Sequence, residues 1–309
     1  MENKLETVVR IHTPQTKGNK MTTIVDSKHL RNALALARKP TAKSRYFDFS
    51  QSVSLQVIDT CLQIQGMDMG WCVQIEIPCM GENWEQPIWV SSKKFAEAIS
   101  GQTGDLTLEI FDNAKCLKVV SAGTTSILLT SRVDDPPSWQ SKILCFTEKS
   151  EQAHELWEAL QRAALATSSE ELQQNNETKV EIECEKGLRL VGTNRHRMHV
   201  IEANASWGSV PKIHVSAPRG ALQIPSNWKP TEYEVWTQPD FLQFSRIEGN
   251  VKESILFRLE ECSFPPWKDG LDLYSVKNIP ESFRVSQETL KKALQKLGKE
   301  KAVKINVTA

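Results

Sequence analysis

The chain has 309 residues and balances 38 Lys and Arg against 38 Asp and Glu, so its formal net charge is zero. Hydrophobic residues make 39% and charged residues 25%, which excludes a disordered chain because this much apolar content can fill a core. The length suits two or three domains of about 100–200 residues, and no apolar run reaches the ~18 residues of a membrane-spanning helix.

Residues 1–21 are polar and lack the apolar centre of a secretion signal, so a polar tail and a cytoplasmic location are expected. A short strand then leads into a helix predicted over Ser27–Lys39, with Leu30, Leu34 and Ala37 on one stripe and Pro40 as its stop. The segment VSLQVID alternates, placing Val53, Leu55 and Val57 on one face of a half-buried strand. A shorter helix is predicted over Lys93–Ser100, closed by Gly101. Asp134 and Asp135, followed by two prolines, read as a turn. Another strand and long helix follow in LCFTEKSEQAHELWEALQRAAL, and KVEIECE alternates again with Val180, Ile182 and Cys184 on one face. A third strand–helix opening begins near Phe283, with Ser286 as N-cap and Leu290, Ala293, Leu294 and Leu297 as the apolar stripe. Residues 302–309 read as the next strand.

These elements repeat. Aligning Cys61 onward with Gly187 onward puts Gly66 on Gly192, Asp68 on Asn194 and Glu76 on Glu202. Ile88–Ile99 then matches Ile213–Ile224, and Thr124–Trp139 matches Lys252–Trp267, in the same order and at nearly the same offset. Such a period marks a duplicated unit. The expected boundaries are a tail over 1–21, units over 22–142 and 143–270, and a linker with the start of an incomplete third unit over 271–309. The fold class is α+β: antiparallel sheets with helices on one face.

Basic residues recur on the predicted helices. Lys28, Arg31 and Arg38 share a face opposite the leucines, with Lys43 and Arg45 just beyond. Lys93, Lys94 and Arg219 fall on corresponding short-helix starts, and Lys292, Lys296 and Lys299 line the third helix. Such a surface suits phosphate contacts, which need positive charge and read no bases. The second long helix dissents, carrying Glu151, Glu155 and Glu158 against His154 and Arg162. No phosphate-cradling glycine loop or EF-hand motif occurs. His196 and His199 lack further ligands nearby, and are expected on a strand rather than on a metal. The seven cysteines form no CxxC pair and read as reduced core thiols. The nine tryptophans read as core or linker anchors. No cofactor, metal or catalytic residue is expected, leaving an unconnected hydrolytic site as a remote alternative.

The segment LRLVGTNRHRMHVIEA resembles the signature of the bacterial sliding clamp family, the beta subunit of DNA polymerase III. That signature runs Leu-Arg-x-Val-(Ala/Gly)-Thr-Asp-x-His-Arg-Leu. This chain supplies Leu188, Arg189, Val191, Gly192, Thr193, His196 and Arg197, with Asn194 for the aspartate and Met198 for the leucine. GMDM, VSSKKFAEAI and SFPPW resemble further family segments, and the likeness extends over about 22–309. It implies tandem clamp domains, sheets outside and helices lining a hole, closed into a ring by a homodimer around duplex DNA. It also implies a pocket between the second and third domains for peptides of the polymerase III alpha subunit, the clamp loader and other partners. By motif position Thr193, His196, Arg197, Met198 and Pro265 form the second-domain wall. Asn176 replaces an apolar pocket residue, and Asp269–Gly270 a basic and an apolar one. The function implied is a non-catalytic DNA sliding clamp that tethers the replicative polymerase. The alternative is a shortened clamp-like protein that binds partner peptides without forming a ring.

Overall fold

The computed structural model describes residues 20–41, 48–131, 133, 136, 139, 143–149, 151–168, 176–184, 187–194, 196–205, 213–237, 240–268 and 288. The chain divides into two compact units, Met1–Pro265 and Pro266–Ala309. The first contains both complete repeats. The expected third helix with Ser286, the strand over 302–309, the DDPP turn and the boundaries at 142 and 270 lie outside the described residues.

The first repeat runs β1 (Met21–Asp26), α1 (Ser27–Ala37), β2 (Ser52–Ile58), β3 (Cys61–Met67), β4 (Trp71–Gly81), β5 (Ile88–Ser91), α2 (Ser92–Ile99), β6 (Asp105–Phe111), β7 (Cys116–Ser121) and β8 (Thr124–Ser131). The second runs β9 (Ile143–Lys149), α3 (Glu151–Ala164), β10 (Val180–Glu183), β11 (Leu188–Thr193), β12 (Met198–Ala203) and β13 (Ile213–Val215). After a 3₁₀ segment (Pro218–Gln223) come β14 (Glu232–Thr237), β15 (Phe241–Glu248) and β16 (Val251–Glu260). Neighbouring strands follow the order β1-β6-β7-β8-β5-β2-β3-β4 in the first repeat and β9-β14-β15-β16-β13-β10-β11-β12 in the second. These are the same order, so the duplication read from residue spacing is a duplication of topology. All pairings are antiparallel.

Helix α1 starts where the Asp26 carboxylate accepts the His29 N–H at 2.8 Å, an N-cap bond that satisfies an orphan donor. It buries Leu30, Ala33, Leu34 and Ala37, as the periodicity predicts, and ends two residues short of Lys39. A leucine buried this way contributes about 1.5–3 kcal/mol. The end of α1 lies on β3 at Gly66. A Cβ there would stand 2.8 Å from the Ala37 carbonyl carbon and nearer still to its oxygen. Gly192 meets the Ala163 carbonyl of α3 with the same 2.8 Å approach. Thr41 and Thr167 complete the device, donating to the Arg38 and Ala164 carbonyls at 2.8 and 2.9 Å.

The repeats join through their strands. β4 pairs with β16, from Trp71 opposite Phe257 to Glu76 opposite Lys252. Trp71 stacks on Phe257 (centroids 6.0 Å, 8° between planes) and lies so close to Gly220 that a Cβ there would enter its ring. The Gly70 carbonyl accepts the Arg258 N–H at 2.9 Å. On the opposite face of the joint Met67, Cys72, Trp89, Trp139, Phe241 and Leu256 form a separate apolar cluster. The tryptophans thus serve the core: Trp71, Trp84, Trp89, Trp139, Trp157, Trp228 and Trp267 are all buried.

Three expectations need correction. The second short helix forms as 3₁₀ rather than α: Ala217 before it is left-handed (φ 48°) and makes no side-chain cap bond, and Gly220 disfavours an α-helix interior. Strand β10 is buried on both faces: Glu181 and Glu183 are inside, and Cys184 falls beyond the strand. Of Cys61, Cys72, Cys79, Cys116, Cys184 and Cys262, only Cys72 and Cys79 are buried.

The glycine contacts yield a test. Gly66→Ala and Gly192→Ala should each destabilise the fold by about 2–3 kcal/mol, the upper end of overpacking costs, in urea unfolding. A change below about 0.5 kcal/mol would mean that the helix ends shift freely over their strands.

Candidate nucleic-acid interface

The register of the joint sets the direction in which the helices face. Trp71, Val73, Ile75 and Ile77 of β4 share one core with Leu30 and Leu34 of α1. Their partners Phe257 and Ile255 lie on the same face of β16, and Trp157 of α3 packs 6.3 Å from Phe257. Helices α1 and α3 therefore cover one face of a sheet that is continuous through the joint.

The outward side of this layer carries the charge. Lys28 and Arg38 of α1, with Lys39 behind them, are exposed, as are Lys93 and Lys94 at the start of α2. The Ser91 hydroxyl caps α2 by accepting the Lys94 N–H at 3.4 Å. Arg31 and Arg219 do not join them freely. Arg31 is partly buried, and its guanidinium donates to the Gln102 carbonyl. Arg219 is partly buried and donates to the Thr167 carbonyl at 3.0 Å. Arg31 thus ties α1 to the turn after α2, and Arg219 ties the 3₁₀ segment to the turn after α3. Sequence periodicity could not separate them from outward cations, because carbonyl capping depends on a loop distant in sequence. Lys43, Arg45, Lys292, Lys296 and Lys299 lie outside the described residues.

The expected peptide-wall residues gather at one turn. Thr193 ends β11, is buried, and donates its hydroxyl to the Arg197 carbonyl at 2.9 Å. The Asn194 side chain accepts the His196 and Arg197 N–H groups at 3.2 and 3.0 Å, leaving both side chains exposed at the mouth of β12. Met198 opens β12, and Pro265 is half-buried at the end of the first unit. His196 thus occupies a turn rather than a strand. His199 stands on β12, 2.7 Å from the Arg162 carbonyl through Nδ1. Among the described residues no three His, Cys, Asp or Glu side chains gather as metal ligands.

Asp68 occupies the place of Asn194 in the first repeat. Its N–H donates to the Trp71 carbonyl as that of Asn194 does to Arg197, and its carboxylate accepts the Met69 N–H at 2.7 Å. Burial pushes the Asp68 carboxyl above its ordinary value, against the lowering effect of that hydrogen bond.

A polar cluster near Pro265 escaped the sequence reading. His214 (3% exposed) meets the Glu181 carboxylate (fully buried) at 3.3 Å through Nε2 and the Glu260 carbonyl at 3.2 Å through Nδ1. Phe264 stacks over the His214 ring at 5.5 Å. Glu260 accepts from Lys179 at 2.6 Å and from the Ser216 hydroxyl. Burial raises the Glu260 carboxyl, but Lys179 and Ser216 outweigh it and hold the group below the usual glutamate value. The alternation in KVEIECE hid this cluster, because a strand pattern reports one covered face and here the chain crosses the other.

Solved structures share this fold. The beta subunit of the Streptococcus pyogenes DNA polymerase superposes with a TM-score of 0.68 at 18% identity, over 89% of this chain and 73% of that one. The polymerase III beta subunit of Thermotoga maritima gives 0.67 at 19% identity, over 89% and 73%. The Bacillus subtilis sliding clamp gives 0.68 at 14%, over 92% and 76%. No family model matches the sequence, and a search of curated proteins finds no match. At these identities the likeness is one of fold: the chain has the fold of the bacterial DNA polymerase III beta sliding clamps.

Two measurements follow. A carboxyl raised in the folded state costs stability at every pH above its unfolded value, whereas Asn194 makes the equivalent turn uncharged. Asp68→Asn should therefore raise stability at pH 7, and the gain should shrink as pH falls through the raised folded value and be gone below about 3.8, the ordinary aspartate value; equal stability at pH 7 would contradict it. Glu181→Leu should cost about 3–5 kcal/mol by stranding His214, and the double change Glu181→Leu/His214→Phe should recover much of it. Additive losses in that cycle would show that the two side chains act independently.

Proposed function

We propose that the protein is a DNA sliding clamp. It encircles duplex DNA, performs no chemistry of its own, and tethers the polymerase III alpha subunit through a partner peptide. The observation that carries the reading is the helix layer on one face of a continuous sheet, with Lys28, Arg38, Lys93 and Lys94 exposed on its outer side. A ring held by topology needs only weak, salt-sensitive phosphate contacts, which let it slide. The clamp fold supports the same reading. Loading falls to a separate ATP-driven clamp loader, and the work is done in the cytoplasm. The turn carrying Thr193, His196, Arg197 and Met198, with Pro265, receives the partner's peptide.

The way the repeats join supports ring closure by a second subunit. The β4–β16 joint is heterologous, using different edges of the two repeats, and such joints propagate into a ring when their rotation closes. β8 is the first-repeat counterpart of β16. Among the described residues its only partner besides β7 is β5, at Thr130 and Ser131. In β16 the outer-face Leu256 is 2% exposed beside Cys72 of β4. Val90 lies opposite Thr130 as Val215 lies opposite Leu259, so Ile127 takes the place of Leu256; it is 59% exposed, and Leu129, two residues on along the same face, 76%. A strand of another subunit, laid on β8 as β4 lies on β16, would cover both.

The test loads the protein onto nicked circular duplex with the loader and ATP, isolates the complex at raised salt, and then linearises the DNA. The protein should stay with the circle and leave the linear form. Equal retention on both, or none on the circle, would overturn the reading. Ile127→Lys/Leu129→Lys should melt like the unaltered protein yet lose at least about tenfold in retention, since a buried charge costs more than 1.4 kcal/mol. Unchanged retention would exclude β8 as the closing edge.

A further inference from the structure

The glycine–carbonyl contacts fix α1 and α3 in register, Ala37 on Ala163, so their surfaces compare position by position. The buried sides agree: Leu30 with Leu156, Ala33 with Ala159, Leu34 with Leu160. The outward sides do not. Lys28 becomes His154, His29 becomes Glu155, and Asn32 becomes Glu158. Arg38 becomes the buried Ala164, and Lys39 becomes Leu165, which is 49% exposed. At the short helices Lys93 becomes Pro218, and Lys94 becomes Arg219, whose guanidinium is engaged with Thr167. On the helix layer the second repeat thus loses each exposed cation named for the first. It gains exposed Glu151, Glu155 and Glu158, which lie on one helix face because residues three and four apart are neighbours. Among the described residues only Glu158 of these has a salt-bridge partner, His154 at 3.2 Å, and Arg162 is the one cation that α3 exposes.

We propose that, of the two complete repeats, only the first contacts phosphate: its α1–α2 face holds the duplex backbone, and the acidic α3 face keeps it away. This rests on the reading that the helix layer faces DNA. Both helices stand on one face of one sheet, so a backbone passing over the layer meets opposite fields from the two repeats. Within about one Debye length, ~10 Å at 0.1 M salt, a row of carboxylates raises the local negative potential and disfavours phosphate there. The arrangement gives a sliding ring one gripping side and one repelling side. A duplex can then move along the first repeat without being bound all round.

The experiment measures binding of the full chain to a labelled linear duplex by fluorescence anisotropy at several salt concentrations. It compares the unaltered protein with Glu151→Gln/Glu155→Gln/Glu158→Gln and with Lys28→Gln/Lys93→Gln/Lys94→Gln. The glutamine-for-glutamate protein should bind about fivefold or more tightly at 0.05–0.1 M salt, the gain vanishing at high salt, while the lysine variant weakens and shows a shallower salt slope. If the lysine variant weakens but the glutamate variant binds no tighter, the proposal fails and the clamp reading stands. If all three proteins bind DNA equally, or none binds, the helix layer does not face DNA and both fail. All of these side chains are exposed, so thermal melting should be unchanged and serves as the folding control.

Discussion

In each repeat a helix carbonyl rests on a strand glycine, and the rest of the architecture is aligned by that contact. Ala37 on Gly66 and Ala163 on Gly192 allow the helix end to sit directly on the sheet. Any side chain at those glycines would lift the helix and uncover Leu30, Leu34, Leu156 or Leu160. The contact sets rotation as well as distance. With the leucines turned inward, the positions of Lys28 and Arg38 in one repeat and of Glu155 and Glu158 in the other are fixed on the outside. The charge on the helix layer is thus a consequence of close packing beneath it.

The second constraint is the β4–β16 joint, which turns two similar repeats into one body. Its backbone ladder sets register, and Trp71, pressed between Phe257 and Gly220, prevents a slip. A one-residue slip would carry Trp71 out of the helix-facing core and Cys72 out of the cluster with Leu256. In the first repeat the turn at Asp68–Trp71 feeds this joint. Its counterpart at Asn194–Arg197 presents His196 and Arg197 to solvent instead. The same local structure therefore serves as a structural plug in one repeat and as a solvent-facing turn in the other.

Much of this was legible in the residues. The spacing of Gly66 and Gly192 reported the duplication because a close backbone approach leaves no substitute for glycine. The stripe of Leu30, Leu34 and Ala37 reported a helix lying on a sheet. Other features were hidden because they depend on partners distant in the chain. Nothing local marks Arg31 as bound to the Gln102 carbonyl, or Glu181 as buried against His214. The need for glycine at position 220 comes from a tryptophan nearly 150 residues earlier, Trp71, whose ring a Cβ there would enter. Sequence periodicity reports which face a residue takes. It does not report which edge of one repeat meets which edge of the next.

In the proposed ring the edge-to-edge joint seen once within the chain is used again between chains. The solution mass, followed by light scattering over a range of concentrations, tests this. A species of about 70 kDa, twice the 34.9 kDa of one chain, should grow with concentration at the expense of the single chain. A mass of one chain at every concentration would contradict it.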